Sequence, residues 1–178
     1  PAWRVVRRQG VRIAVTGFTT PGTMVWDRDQ LGGARITPIL AAAAPVLEAM
    51  HRDADVTVAL VHSGMDGRAS YDTTGIGDEN VAAGLATLAA RPDLVVVGHT
   101  HREMRDSVIH GVHFVQPRPF GASVSVVHLD LAREEGVWRI RRIRADLVST
   151  REVAASSLLA QRLAGNRDAV RAWADAAA

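Results

Sequence analysis

Cysteine and lysine are both absent from the 178 residues, so all 21 basic residues are arginine. Without cysteine, disulfides and thiolate metal ligands are excluded, while the cellular compartment stays open. The missing lysine and the abundant alanine read as nucleotide bias in the coding genome rather than as function. No apolar run approaches the roughly 20 residues needed to cross a bilayer. The opening "PAWRVVRRQG" has no apolar stretch behind its charges and so does not read as a signal peptide. The net charge is only +2 despite a pI near 10.3, with the arginines scattered among 19 acids. A nucleic-acid binder would gather them on one face. Only "RIRRIR" at 139–144 forms a cluster, and its alternation with Ile140 and Ile143 reads as an edge strand with a solvated face. No nucleic-acid polymer and no membrane span are therefore expected as partners.

What is present suits one globular domain with at most a short appendage, since 47% of the residues are apolar. Apolar runs at 11–18, 56–62 and 93–99 read as buried strands. A helix is expected over 37–50, capped by Thr37 and kinked or split at Pro45, and a second over 79–90 behind Asp78. Between strand and helix lies the polar, glycine-rich stretch 63–77, long enough to be functional or mobile. A hairpin turning near Gly111, paired strands at 123–131 and 137–148, and two tail helices broken at Gly165-Asn166 complete the pattern. The fold class implied is α/β: a mixed sheet with helices, then antiparallel strands, then C-terminal helices.

Ligands of parallel sheets sit beyond the carboxyl ends of the strands. His62 ends one predicted strand and His99 another, with His101 two residues on, so three histidines fall at one edge. On an extended backbone His99 and His101 would also point the same way. Hydrogen-bonded, inert strand-end histidines are the alternative, but three converging imidazoles favour a metal site. His51, at a helix end, His110 and His113, flanking a turn, and His128, on an alternating strand, are expected to be structural.

"LVHSG" at 60–64, "DENVAAGLA" at 78–86, "PDLVVVGHTHRE" at 92–103 and "GVHFVQPRPFGASVSVVHLDL" at 111–131 come in an order that resembles the second half of a calcineurin-like metallophosphoesterase domain. The likeness is to its 5′-nucleotidase and 2′,3′-cyclic-nucleotide phosphodiesterase branch, and "GVRIAVTGFTTPGT" at 10–23 also looks like that branch. The resemblance implies a metallophosphatase-type α/β sandwich and two divalent ions, manganese, zinc or iron, about 3.5–4 Å apart. It implies that His62 and His99 hold one ion and His101 its neighbour, and that a nucleotide or other small phosphate ester is the substrate. Two such cations would polarise the phosphoryl group and lower the pKa of a bound water for in-line attack. Relatives of this branch are mostly exported, which implies a periplasmic or extracellular protein.

Several family motifs are missing. No D-x-H occurs; "GDEN" at 77–80 carries Val81 where a last Asp should be; "GNRD" at 165–168 has Arg167 in place of histidine and reads as a helix break capped by Asn166. The expectation is that residues 1–148 form a partial catalytic domain whose N-terminal half lies on a missing partner segment, and that 149–178 form a helical tail towards an absent C-terminal domain. Pro1 in place of Met fits that expectation. No catalytic residue is then expected in this chain, and alone it would hold at most one ion weakly, with water or Asp66 filling the shell. Asn80 and Arg118 are the candidates for substrate contact, Arg118 either reaching a phosphate or, preferably, standing exposed on a loop. Apolar surface left bare by the missing half would favour self-association. An inactive remnant or interaction module of the same fold, and a sulfur-ester substrate, are the competing readings.

Overall fold

The computed structural model describes residues 2–176. Strands β1 (Trp3–Arg8) and β2 (Val11–Thr19) form a hairpin, followed by a short helix α1 (Thr23–Trp26) and a long one, α2 (Ile39–Asp53). β3 (Val56–His62) and β4 (Leu94–Val97) come next, separated by the polar stretch and a 3-10 helix at Ala82–Thr87. β5 (Met104–Ile109), β6 (Val112–Gln116), β7 (Ser123–Glu134) and β8 (Val137–Ser149) lead to the tail helices α3 (Ser157–Arg162) and α4 (Ala164–Ala176). Six strands make one mixed sheet, ordered β1-β2-β3-β4-β6-β5, with β2, β3, β4 and β6 parallel. β7 and β8 pair as a separate antiparallel ribbon. The mixed sheet, the ribbon and the tail helices match the expected α/β class. Among the described residues no helix is long and apolar enough to cross a membrane.

One sheet face is covered by α2, whose buried residues Ile39, Ala43, Leu47 and Met50 recur at helical spacing. They pack with Val95, Val97, Val112 and Phe114 in the main core. The other face is covered at β4 and β6, where Leu94 and Val115 meet Ala145 of the ribbon. Val58 of β3 joins this cluster, but towards the end of β3 the face is open, and Leu60 is 47% exposed. Three two-residue hairpin turns share one chemistry: Gln9-Gly10, His110-Gly111 and Glu135-Gly136 all have positive φ at both positions. That is the backbone of the type I′ turn, whose twist matches the flanking strands. His110 is thus a turn residue.

Several local expectations are corrected. α2 is not split at Pro45, which is exposed, as is Ala41, whose carbonyl loses its helical donor. Pro38, not Thr37, stands at its N-cap, with no capping side chain. Instead of a helix over 79–90 there is only the 3-10 turn at 82–87. The groups that would start a helix are captured elsewhere: the Ser63 hydroxyl donates to Glu79 O (2.7 Å) and accepts from Val81 N (3.0 Å), while Gly64 O accepts from Ala82 N. In the tail the break falls at Leu163, and Gly165-Asn166 lie inside α4, so Asn166 is not a cap. β1 was not anticipated.

At the sheet edge opposite the strand ends, Asp55 accepts from the Arg12 backbone N–H and from both its Nε and Nη2. The Arg12 hydrogen bond, outweighing desolvation, holds the Asp55 carboxyl below its usual range. A carboxylate whose folded pKa is depressed stabilises the fold above its unfolded pKa, about 4, and loses that contribution as pH falls through the lowered value. Circular-dichroism melts between pH 2 and 6 should therefore show a shallower acid decline for Asp55→Asn than for the wild type. Parallel declines would contradict the assignment.

Candidate metal centre

His62 is the last residue of β3, its carbonyl held by Thr20 N–H at 2.9 Å. β4 ends two residues before His99, and Gly98 N–H donates to Val61 O across the two strands. A Cβ at Gly98 would lie 3.2 Å from His62 Nδ1, so the small residue lets this ring lie against the backbone. The His62 and His99 rings stand edge to face with centroids 5.1 Å apart. Behind His99, the Trp26 ring of α1 lies 5.4 Å away and in turn meets Tyr71.

The backbone beyond β4 is not extended. His99 and His101 have φ of 82° and 55°, conformations that side-chain-bearing residues rarely adopt and that cluster at functional sites. The extended strand that would aim the two rings the same way is therefore absent. His101 turns to Phe120, with ring centroids 5.4 Å apart. It remains near enough to His62 that its charge, with that of His99, adds to desolvation in lowering the His62 pKa. His62 is therefore held towards the neutral imidazole that binds metals.

The carboxylate beside these rings is Glu79, which sequence reading placed at a helix start. Its Oε1 meets His99 Nε2 at 2.6 Å and its Oε2 accepts from Ser70 N–H in the glycine-rich stretch. Burial pushes its pKa up, but the His99 and Ser70 hydrogen bonds prevail and bring it below the usual carboxylate range. Nothing in the local spacing signals this, because an acid in a helix's first turn is unremarkable. Asn80 lines the same cleft with its amide committed: Oδ1 accepts from Gly64 N–H and Nδ2 donates to Arg68 O. Arg118 is exposed and donates through Nε to Glu103.

A cleft of 680 Å³ opens beside His99, lined by Asp66, Arg68, Glu79, Asn80 and Arg102 among others. His62 borders an adjoining recess of 570 Å³ with Gly17, Thr19 and Gly98. Among the described residues no three His, Asp or Glu side chains close on one point tightly enough to hold a metal ion. The paired imidazoles nevertheless suit the nitrogen side of such a site. The other histidines are engaged away from it: His51 Nε2 lies 2.7 Å from Arg91 O, His113 pairs with Asp106, and His128 faces Asp146.

No protein-family model matches the chain. It is 27% identical over 156 residues to the trifunctional nucleotide phosphoesterase YfkN of Bacillus subtilis, covering 79% of this chain and 10% of that protein. It is 26% identical over 167 residues to a 2′,3′-cyclic-nucleotide 2′-phosphodiesterase/3′-nucleotidase of Salmonella typhimurium, covering 85% of this chain and 25% of that one. The chain thus spans a quarter or less of these two relatives. In three dimensions it superposes on the crystal structure of the calcineurin-like phosphoesterase YfkN with a TM-score of 0.76 and 22% identity, over 92% of this chain and 57% of the other. These relatives are phosphoesterases, hydrolases of phosphate esters, and this chain has the metallophosphoesterase fold of the calcineurin-like phosphoesterase on which it superposes.

Proposed function

We propose that this chain supplies the histidine side of a two-metal centre in a larger phosphoesterase that hydrolyses nucleotide or 2′,3′-cyclic-nucleotide phosphate esters. The observation that carries this reading is the pair of His62 and His99 rings, 5.1 Å apart at the ends of adjacent parallel strands. His62 and His99 would hold one divalent ion and His101 a second, with manganese, zinc or iron suited to a mixed imidazole and carboxylate shell. When bound, the ions supply electrophilic stabilisation of the phosphoryl group and an activated water. The chain's own residues position that chemistry: Gly98 gives the His62 ring room, Thr20 N–H fixes its carbonyl, and Glu79 seats His99. Arg68 and Arg102 on the cleft wall are the cations placed to meet an anionic substrate.

In this reading residues 1–148 are part of a catalytic domain, and 149–178 are a helical tail leading to a further domain. The carboxylates that would bridge the ions come from another segment of the same protein, and the protein works in the periplasm or outside the cell. The test is phosphate release by the natural full-length protein from AMP, 2′,3′-cyclic AMP and p-nitrophenyl phosphate. Hydrolysis should vanish with EDTA and return with Mn²⁺. Inertness towards all three substrates would overturn the reading in favour of a fold that has lost its chemistry.

A further inference from the structure

Glu79 is the sole buried ionisable side chain among the described residues, at 5% exposure. A buried charge is costly unless it is paired and hydrogen-bonded, so its place needs a reason. The residue is held from three directions. Its carbonyl accepts from the Ser63 hydroxyl at 2.7 Å, one residue beyond His62; its Oε2 takes Ser70 N–H; its Oε1 takes His99 Nε2 at 2.6 Å. An ionised carboxylate only accepts hydrogen bonds, so the proton between the two groups sits on Nε2. Neutral His99 then carries its lone pair on Nδ1.

The geometry points to Glu79 as a positioning residue of the metal centre: by holding His99 Nε2–H it selects the tautomer that presents Nδ1 to a metal, and through Ser63 and Ser70 it ties that ring to the His62 strand end and to the cleft loop. This role rests on the proposed metal site. Carboxylates that orient ligating histidines in this way raise ligand basicity, and their loss costs about 10–100-fold in metal affinity.

Tautomer and affinity can be read separately from activity. In the metal-free chain labelled with ¹⁵N-histidine at pH 8, long-range ¹H–¹⁵N spectra, with the His99 signals assigned from His99→Gln, should show the proton on Nε2. Glu79→Met, close in volume but without an acceptor, should give a mixture of tautomers and bind Mn²⁺ about 10–100-fold more weakly by calorimetry. Glu79→Gln has one acceptor oxygen for two donors; with that oxygen on Ser70 N–H its amide NH2 faces Nε2, so it should shift His99 towards the Nδ1–H tautomer and weaken Mn²⁺ binding as well. A wild-type His99 protonated on Nδ1 would overturn the assignment even if Mn²⁺ binds, and this spectrum decides the matter should Glu79→Met fail to fold. So would a folded Glu79→Met with wild-type affinity. Absence of Mn²⁺ binding by the natural full-length protein, with the expected tautomer, would instead sink the metal site itself and this role with it.

Discussion

Alanine at His62 or at His99 is expected to weaken binding of the first Mn²⁺ ion by more than about 100-fold, beyond what loss of an orienting group costs. The two rings face each other at 5.1 Å, and each is seated by contacts that survive truncation of the other. His62 is anchored through its own carbonyl and held towards the neutral form by desolvation and by repulsion from His99 and His101. His99 is fixed by Glu79. Removing either ring should therefore leave one imidazole without its partner; His62→Ala should cost the fold little, whereas His99→Ala also leaves the buried Glu79 carboxylate without its imidazole and should lower stability. His101→Ala should spare this ion, since its ring turns to Phe120, while His113→Ala, on the far pairing with Asp106, should change nothing. Calorimetric titration of the natural full-length protein and its variants with Mn²⁺ separates these cases. A His62→Ala chain that binds as the wild type does would remove His62 from the ligand set.

Phe114→Ala should have the largest effect on stability, about 3–5 kcal/mol. Phe114 sits in β6 between Val95 of β4 and Ser107 of β5, and it is 0% exposed. Its ring fills the core beneath α2, where Leu47 and Met50 are also fully buried. Truncation removes the transfer term and leaves a void that a sheet pinned on both sides cannot collapse. For a chain of this length the midpoint of thermal unfolding should fall by about 6–20 °C. Phe120→Ala supplies a same-chemistry control: that ring is 95% exposed, and its loss should change stability by no more than about 0.5 kcal/mol. Comparable losses at the two sites would mean that β6 is not the centre of the core.

The strands that build the site were readable because a buried parallel strand is a short apolar run, and 56–62 was delimited as the structure has it. The ends of those runs placed His62 and His99 at one edge. What escaped was decided by tertiary contacts. β1 has a mixed pattern, with Arg7 and Arg8 exposed, so neither a clean alternation nor an apolar run marks "WRVVRR". Residues 79–81 satisfy every local rule for a helix start, yet Ser63, Ser70 and His99 take the groups a helix would use. The left-handed backbone at His99 and His101 has no compositional mark, because glycine, its usual bearer, is absent from both positions.

The three Xaa-Gly turns have a consequence for the order of assembly. Each closes a hairpin between neighbours in the chain, and such hairpins form in about 1–10 μs. The pairings of β2 with β3, β3 with β4 and β4 with β6 instead join segments separated by helices and loops, and must wait for those connections to close. Pairing within the hairpins should therefore precede the joining of β2 to β3 and of β3 to β4, across connections of 36 residues (20–55) and 31 residues (63–93), so the junction where His62 and His99 meet belongs to the late, non-local part of the sheet.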